Sequence, residues 1–174
     1  IEISKFNTVN VKFMNYMFYN CTSLTSINLS NFDASKLISM NSMFKNCSKL
    51  ISINFTNFIT EKLENLGDCF NGCKSLKNIN FDSFYTNKII NMSRMFKDCR
   101  SLISIDISTF ETQNVVSMMG MFSYCKSLET LNLSNFNTQN VKNMAIMFYS
   151  DYSLKILDIS SFNTEKVFDL SNMF

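Results

Sequence analysis

An α/β repeat solenoid, right-handed, with one parallel β-strand and one short α- or 3-10 helix per 26-residue coil, is the fold this sequence predicts. The first observation is an unbroken period: Phe6, Phe32, Phe58, Phe84, Phe110, Phe136 and Phe162 recur every 26 residues without an insertion. The second is a parallel Phe row at the same step, namely Phe18, Phe44, Phe70, Phe96, Phe122, Phe148 and Phe174. The third is a change of pattern within each unit, from a step of three or four to a step of two. A domain with one-off packing holds no such register, because each element has different neighbours. A stack of identical coils requires it.

The strand is read from Leu24-x-x-Ile27-x-Leu29, whose final alternation turns Ile27 and Leu29 inward. The helix is read from Val11-x-x-Met14-x-x-Met17-Phe18-x-x-Cys21, one buried stripe on a short helical segment. Thr8 sits just before that run and is expected to cap it. Thr recurs at 60, 86, 112, 138 and 164, and Ala34 is the sole departure. One strand and one helix per coil at this period is the leucine-rich-repeat plan. Residues 1–174 thus form a single array of about 6.7 repeats, expected to be part of a longer one, since it opens mid-strand at Ile1-Glu2-Ile3 and stops at Phe174. Parallel strands about 4.8 Å apart make the stack roughly 30 Å long.

Composition restricts the chemistry. Hydrophobic residues make up 46% and charged residues 17%, which excludes simple disorder. There is no His, which removes imidazole bases and most hydrolase triads. The formal charge of +2 is too small to indicate nucleic acid. No run is long and apolar enough to span a bilayer, so membrane attachment is expected only through an anchor outside this chain.

The string Asn-Val-x-x-Met-x-x-Met-Phe-x-x-Cys-x-Ser-Leu-x-x-Leu-x-Leu-Ser-x-Phe, legible from Asn114 to Phe136, is similar to the bacterial surface-protein repeat. That repeat belongs to the BspA-like leucine-rich repeats, common in mycoplasma-type surface lipoproteins, and the resemblance covers the whole chain. It implies a cell-surface or extracellular repeat protein engaged in adhesion or host interaction, with no catalysis and no cofactor. Two units depart from the pattern. Leu66-Gly67-Asp68-Cys69 replaces Met-x-x-Met, and Asp151 replaces the recurring Cys.

Cys21, Cys47, Cys73, Cys99 and Cys125 share one repeat position, and Cys69 takes a Met slot. Neighbours in such a row point the same way at about one strand spacing, too far for a bridge, so buried free thiols are expected. Cys69 and Cys73 are the one local pair close enough to test. One thiolate per coil builds no tetrahedral metal site. Phe and Met locked to the repeat read as core.

Two surface rows remain as binding candidates. On the strand, residues alternating with the buried ones face solvent, and their central row is Asn28, Asn54, Asn80, Asp106, Asn132 and Asp158. Such hydroxyl, amide and carboxylate rows suit weak glycan or calcium contacts, and equally suit a plain solvated surface. The second row is Lys74, Arg100 and Lys126, one cation per coil, suited to an anionic glycan, lipid or acidic protein. A further row, Lys36, Lys62 and Lys88, crosses the turn before the expected helix. The expected role is an adhesion or host-interaction module whose partner is a host matrix protein, glycan or cell-surface molecule. The alternative is a spacer or stalk that assembles end to end without a specific ligand.

Overall fold

The computed structural model describes residues 3–81 and 83–174. The strand start expected at Ile1-Glu2 and the outward position of Asp82 lie outside the described residues. Counting coils from each Phe of the first row, coil 1 spans residues 6–31 and coil 6 spans residues 136–161. Each coil rises on the next so that equivalent residues stack, and the buried side chains form one continuous core. Both Phe rows run through it, with only their end members Phe6 and Phe174 exposed. Along the second row, adjacent rings stack with centroids 5.3 Å apart for Phe18–Phe44 and 5.6 Å for Phe70–Phe96.

Short strands occur where the alternation placed them: β1 (Ser26–Asn28), β2 (Ser52–Asn54), β3 (Thr130–Asn132) and β4 (Ile156–Asp158). β1 pairs with β2, and β3 with β4, both parallel and one full repeat apart in register. Between these pairs, coils 3 and 4 carry no strand among the described residues. The interruption starts beside Phe55 and Phe81, which replace the Leu or Ile of other coils at that inward position. Their rings pack edge-on against Phe84 at 4.9 and 5.1 Å. Extra ring volume on the strand side is accommodated where the ladder opens.

The helix expected from Val11 to Cys21 is absent, and no described residue of the chain is helical. A ribbon of consecutive β-turns occupies its place. The N–H groups of Met17, Tyr19 and Cys21 donate to the carbonyls three residues earlier. Those of Met14, Tyr16, Phe18 and Asn20 donate instead to Ser39, Asn41, Met43 and Lys45 of the following coil. Tyr16 and Asn20 take φ of 60°, the left-handed value that the third residue of a type II turn needs. A step of three is therefore the corner spacing of turns. Half of the backbone donors go to the neighbouring coil, so no helical i→i−4 ladder forms. Parallel bridges join Phe13, Ser39, Asn65, Asn91, Ser117, Asn143 and Asp169, so this ribbon runs through every coil while the strand side is interrupted.

Thr8 does not cap a helix. Its hydroxyl accepts the Asp33 N–H at 2.8 Å and donates to the Asp33 carbonyl at 3.1 Å, clamping coil 1 to coil 2. Thr86, Thr112 and Thr138 make the same double contact with Glu111, Asn137 and Asn163.

Candidate functional site

The strand side carries an open groove of about 800 Å³ over coils 1–3. Ser26, Asn28, Ser52, Asn54, Thr56 and Asn80 line it, over a floor that includes Ile27, Ile53 and Phe55. Among the described residues, no charged side chain contributes to the lining. A smaller recess of about 260 Å³, lined by Asn80, Asp106 and Thr109 among others, continues it toward coil 4.

The predicted Asn/Asp row lies along this side, but much of its polarity is turned inward on the backbone. Asn28 Oδ1 accepts the Ser30 N–H at 3.0 Å, and Asn54 Oδ1 accepts that of Thr56 at 2.9 Å. Asp106, Asn132 and Asp158 do the same for Ser108, Ser134 and Ser160. Each is an Asx-turn that ends the strand segment. Hydrogen bonds from Ser108 and Ser160 hold the Asp106 and Asp158 carboxyls below the usual carboxylate range. What the row still offers outward is the amide Nδ2 of Asn28, Asn54 and Asn132 and the second oxygen of the two carboxylates. Asn80 lines both recesses and joins them.

The basic row is placed on the outer arc between turn ribbon and strand, with Lys74, Arg100 and Lys126 all exposed. Asp98 sits between the first two, 2.6 Å from Arg100 Nε and 3.9 Å from Lys74 Nζ. Lys126 has no ion-pair partner among the described residues. The structure does not bring this row together with the Asn/Asp row into one site.

Two acidic side chains have roles that repeat position alone did not reveal. Asp68 is buried in the turn ribbon, where Arg94 grips both its oxygens at 2.8 to 3.1 Å and Lys45 adds a contact at 3.0 Å. Burial opposes its charge, but Arg94, Asn71 and Lys45 more than offset this and hold the carboxyl below its ordinary range. The cluster ties coils 2, 3 and 4 together on the side opposite the open groove. Asp151 stands in the Cys row. Its Oδ1 accepts the Cys125 N–H at 2.7 Å, while Oδ2 is buried without a partner, and burial pushes the carboxyl up to about 7.

All six cysteines are free, including Cys69 and Cys73. Cys47, Cys73, Cys99 and Cys125 donate their thiols to the carbonyls of Phe18, Phe44, Phe70 and Phe96, each in the preceding coil. Among the described residues, no group of three or more metal-ligating side chains is assembled, and no helix is long and apolar enough to cross a membrane.

Stacked coils with a strand on one side and turns on the other, built on this Met-Phe-x-x-Cys unit, define a BspA-like leucine-rich repeat protein. The chain belongs to the family described as "Mycoplasma protein of unknown function, DUF285", which it matches over residues 1–80 and 64–174. Its fold resembles that of the Treponema pallidum leucine-rich repeat protein TpLRR, with a TM-score of 0.62 at 24% identity over 89% of this chain and 66% of that one. A leucine-rich repeat protein from Bacteroides ovatus matches with a TM-score of 0.48 and 24% identity over 83% of this chain and 40% of that one. The chain thus spans less than two thirds of the length of either solved protein. A search of curated proteins finds no match.

Proposed function

We propose that the protein is a non-enzymatic cell-surface binding module of adhesion or host interaction, contacting a matrix protein, glycan or cell-surface partner along the strand-side groove. The observation that carries this reading is the groove itself: a trough lined over coils 1–3 by hydroxyls and amides above an apolar floor, continued toward coil 4 by a recess that adds Asp106. Repetition supplies the mechanism. A rigid array presents the same group once per coil, so weak contacts to a repeating partner add. The Asx-turns favour a second reading, a spacer, because they give the Asn/Asp row a structural task that needs no ligand.

The test is binding of the intact chain to a panel of matrix proteins, neutral glycans and host cells, beside a Ser52→Ile variant. Ile156 occupies the equivalent position in coil 6 and is exposed, so the coil accepts that side chain. Loss of binding in the variant, with folding intact, supports the groove. Binding to nothing on the panel transfers the role to the spacer.

A further inference from the structure

The net charge of the chain conceals a segregation around the coil. Residues 16–25 and their equivalents form the arc from turn ribbon to strand. That arc holds nine of the 16 Lys and Arg but four of the 14 Asp and Glu, a formal +5, and the rest of the chain holds seven against ten, a formal −3. Within the arc, Lys74, Arg100 and Lys126 stand one per coil, and exposed Lys49 and Lys77 flank them. Equivalent positions lie about one strand spacing apart, well inside a Debye length of about 8 Å in physiological salt, so their fields add.

We propose that this arc binds a linear polyanion, a sulfated or carboxylated polysaccharide laid parallel to the solenoid axis. The direction of the row selects a polymer, since the cations follow the axis in single file with one charge per coil. The neighbouring position is occupied by Ser75, Ser101 and Ser127, which offer hydroxyls, and the exposed Ile103 and Tyr152 of the same arc are single side chains rather than the continuous apolar face a lipid surface takes up. The site is independent of the groove and goes beyond that reading.

Asp98 is the internal competitor. Its carboxylate contacts both Lys74 and Arg100, as a bound sulfate or carboxylate would. It also holds φ of 60°, at a position where Asn20 and Asn46 hold 60° and 63°. Asp98→Asn is therefore a substitution the repeat already makes, and it frees two cations without disturbing the turn.

The experiment measures heparin binding to the intact chain at low and high salt. The wild type is expected to bind, with affinity falling as salt rises. Asp98→Asn is expected to tighten binding about two- to fivefold, the size of an exposed ion pair. Replacing Lys74, Arg100 and Lys126 together by Gln is expected to weaken it at least about tenfold. The same replacement of Lys36, Lys62 and Lys88, which removes equal charge from the opposite arc, is expected to change it little. Equal loss in both triple variants, no binding by the wild type at low salt, or tighter binding to phosphatidylserine vesicles than to heparin would each overturn the proposal. Ser52→Ile should leave heparin binding intact, which separates this site from the groove.

Discussion

The Thr60 hydroxyl accepts the backbone N–H of Tyr85 at 2.9 Å and donates to the Tyr85 carbonyl at 3.0 Å. One buried side chain thus satisfies both backbone polar groups of a single residue in the next coil, where no β-ladder reaches. Ala34 leaves the corresponding groups of Ile59 without this clamp. There the chain compensates locally: Ile59 N–H bonds to the Asn57 carbonyl, and Asn57 is driven to φ of 64°.

Ala34→Thr should therefore stabilise the protein. Other coils hold Thr at this position in a fully buried state, so space for the hydroxyl is part of the repeat. The expected gain is about 1 kcal/mol from the recovered hydrogen bonds. Urea unfolding checks it, and a lower midpoint for the variant would show that Asn57 and Ile59 cannot return to the common conformation.

Five of the six thiols should be chemically silent in the native state. Burial pushes the Cys47 thiol up to about 12, and those of Cys69, Cys73, Cys99 and Cys125 well above their ordinary value. Cys21, in coil 1, is half-buried. Titration with a chromogenic disulfide at pH 8 should modify Cys21 alone, and the other five only on unfolding. Rapid native reaction of any ladder thiol would contradict the packing described.

Asp151 should make stability fall with rising pH. Its carboxyl is raised in the folded state to about 7 from an ordinary value of 3.8. Between those values the folded chain holds more protons than the unfolded one, so stability declines from about pH 4 to 7 and then levels. Asp151→Cys restores the residue of the other coils and should flatten that decline. Urea midpoints at pH 5 and pH 8 for both proteins provide the comparison. An equal decline in both would assign it to other groups.

Phe96→Ala should cost about 3–5 kcal/mol. The ring is fully buried and stacks on Phe70 and Phe122 at 5.6 and 5.7 Å. Because coils are stabilised by their neighbours, a break at this central position should also split the thermal unfolding transition. A loss under about 1 kcal/mol would show that the Phe row is not packed as described.

Period, Phe rows and buried face were legible in the sequence because they follow from stacking, and stacking demands identity at every coil. The turn ribbon was misread because turn corners and one helical face both recur at a step of three. A distinguishing signal was present: Asn20, Asn46, Gly72 and Asp98 share one position, and all are residues suited to the left-handed φ observed there. In the same way, Asn28-x-Ser30 and Asn132-x-Ser134 spell an Asx-turn, which assigns the row a backbone role before any ligand. The Thr clamp was invisible for another reason. Its partner lies 25 residues away, so only the coil geometry brings the two together.

The forward hydrogen bonds of the turn ribbon give the solenoid an electrical direction. In each of coils 1–5 four peptide N–H groups, such as those of Met92, Arg94, Phe96 and Asp98, point toward the next coil, and none in these columns points back. Their dipoles align along the axis as those of an α-helix do. The sense is reversed relative to the chain, so the positive pole faces the higher-numbered coils. Bonds that point back, such as Ile90 N–H to the Glu64 carbonyl and Ser101 N–H to the Lys74 carbonyl, offset this only beside the ribbon. The ribbon itself therefore presents peptide N–H groups at one end of the stack and carbonyls at the other.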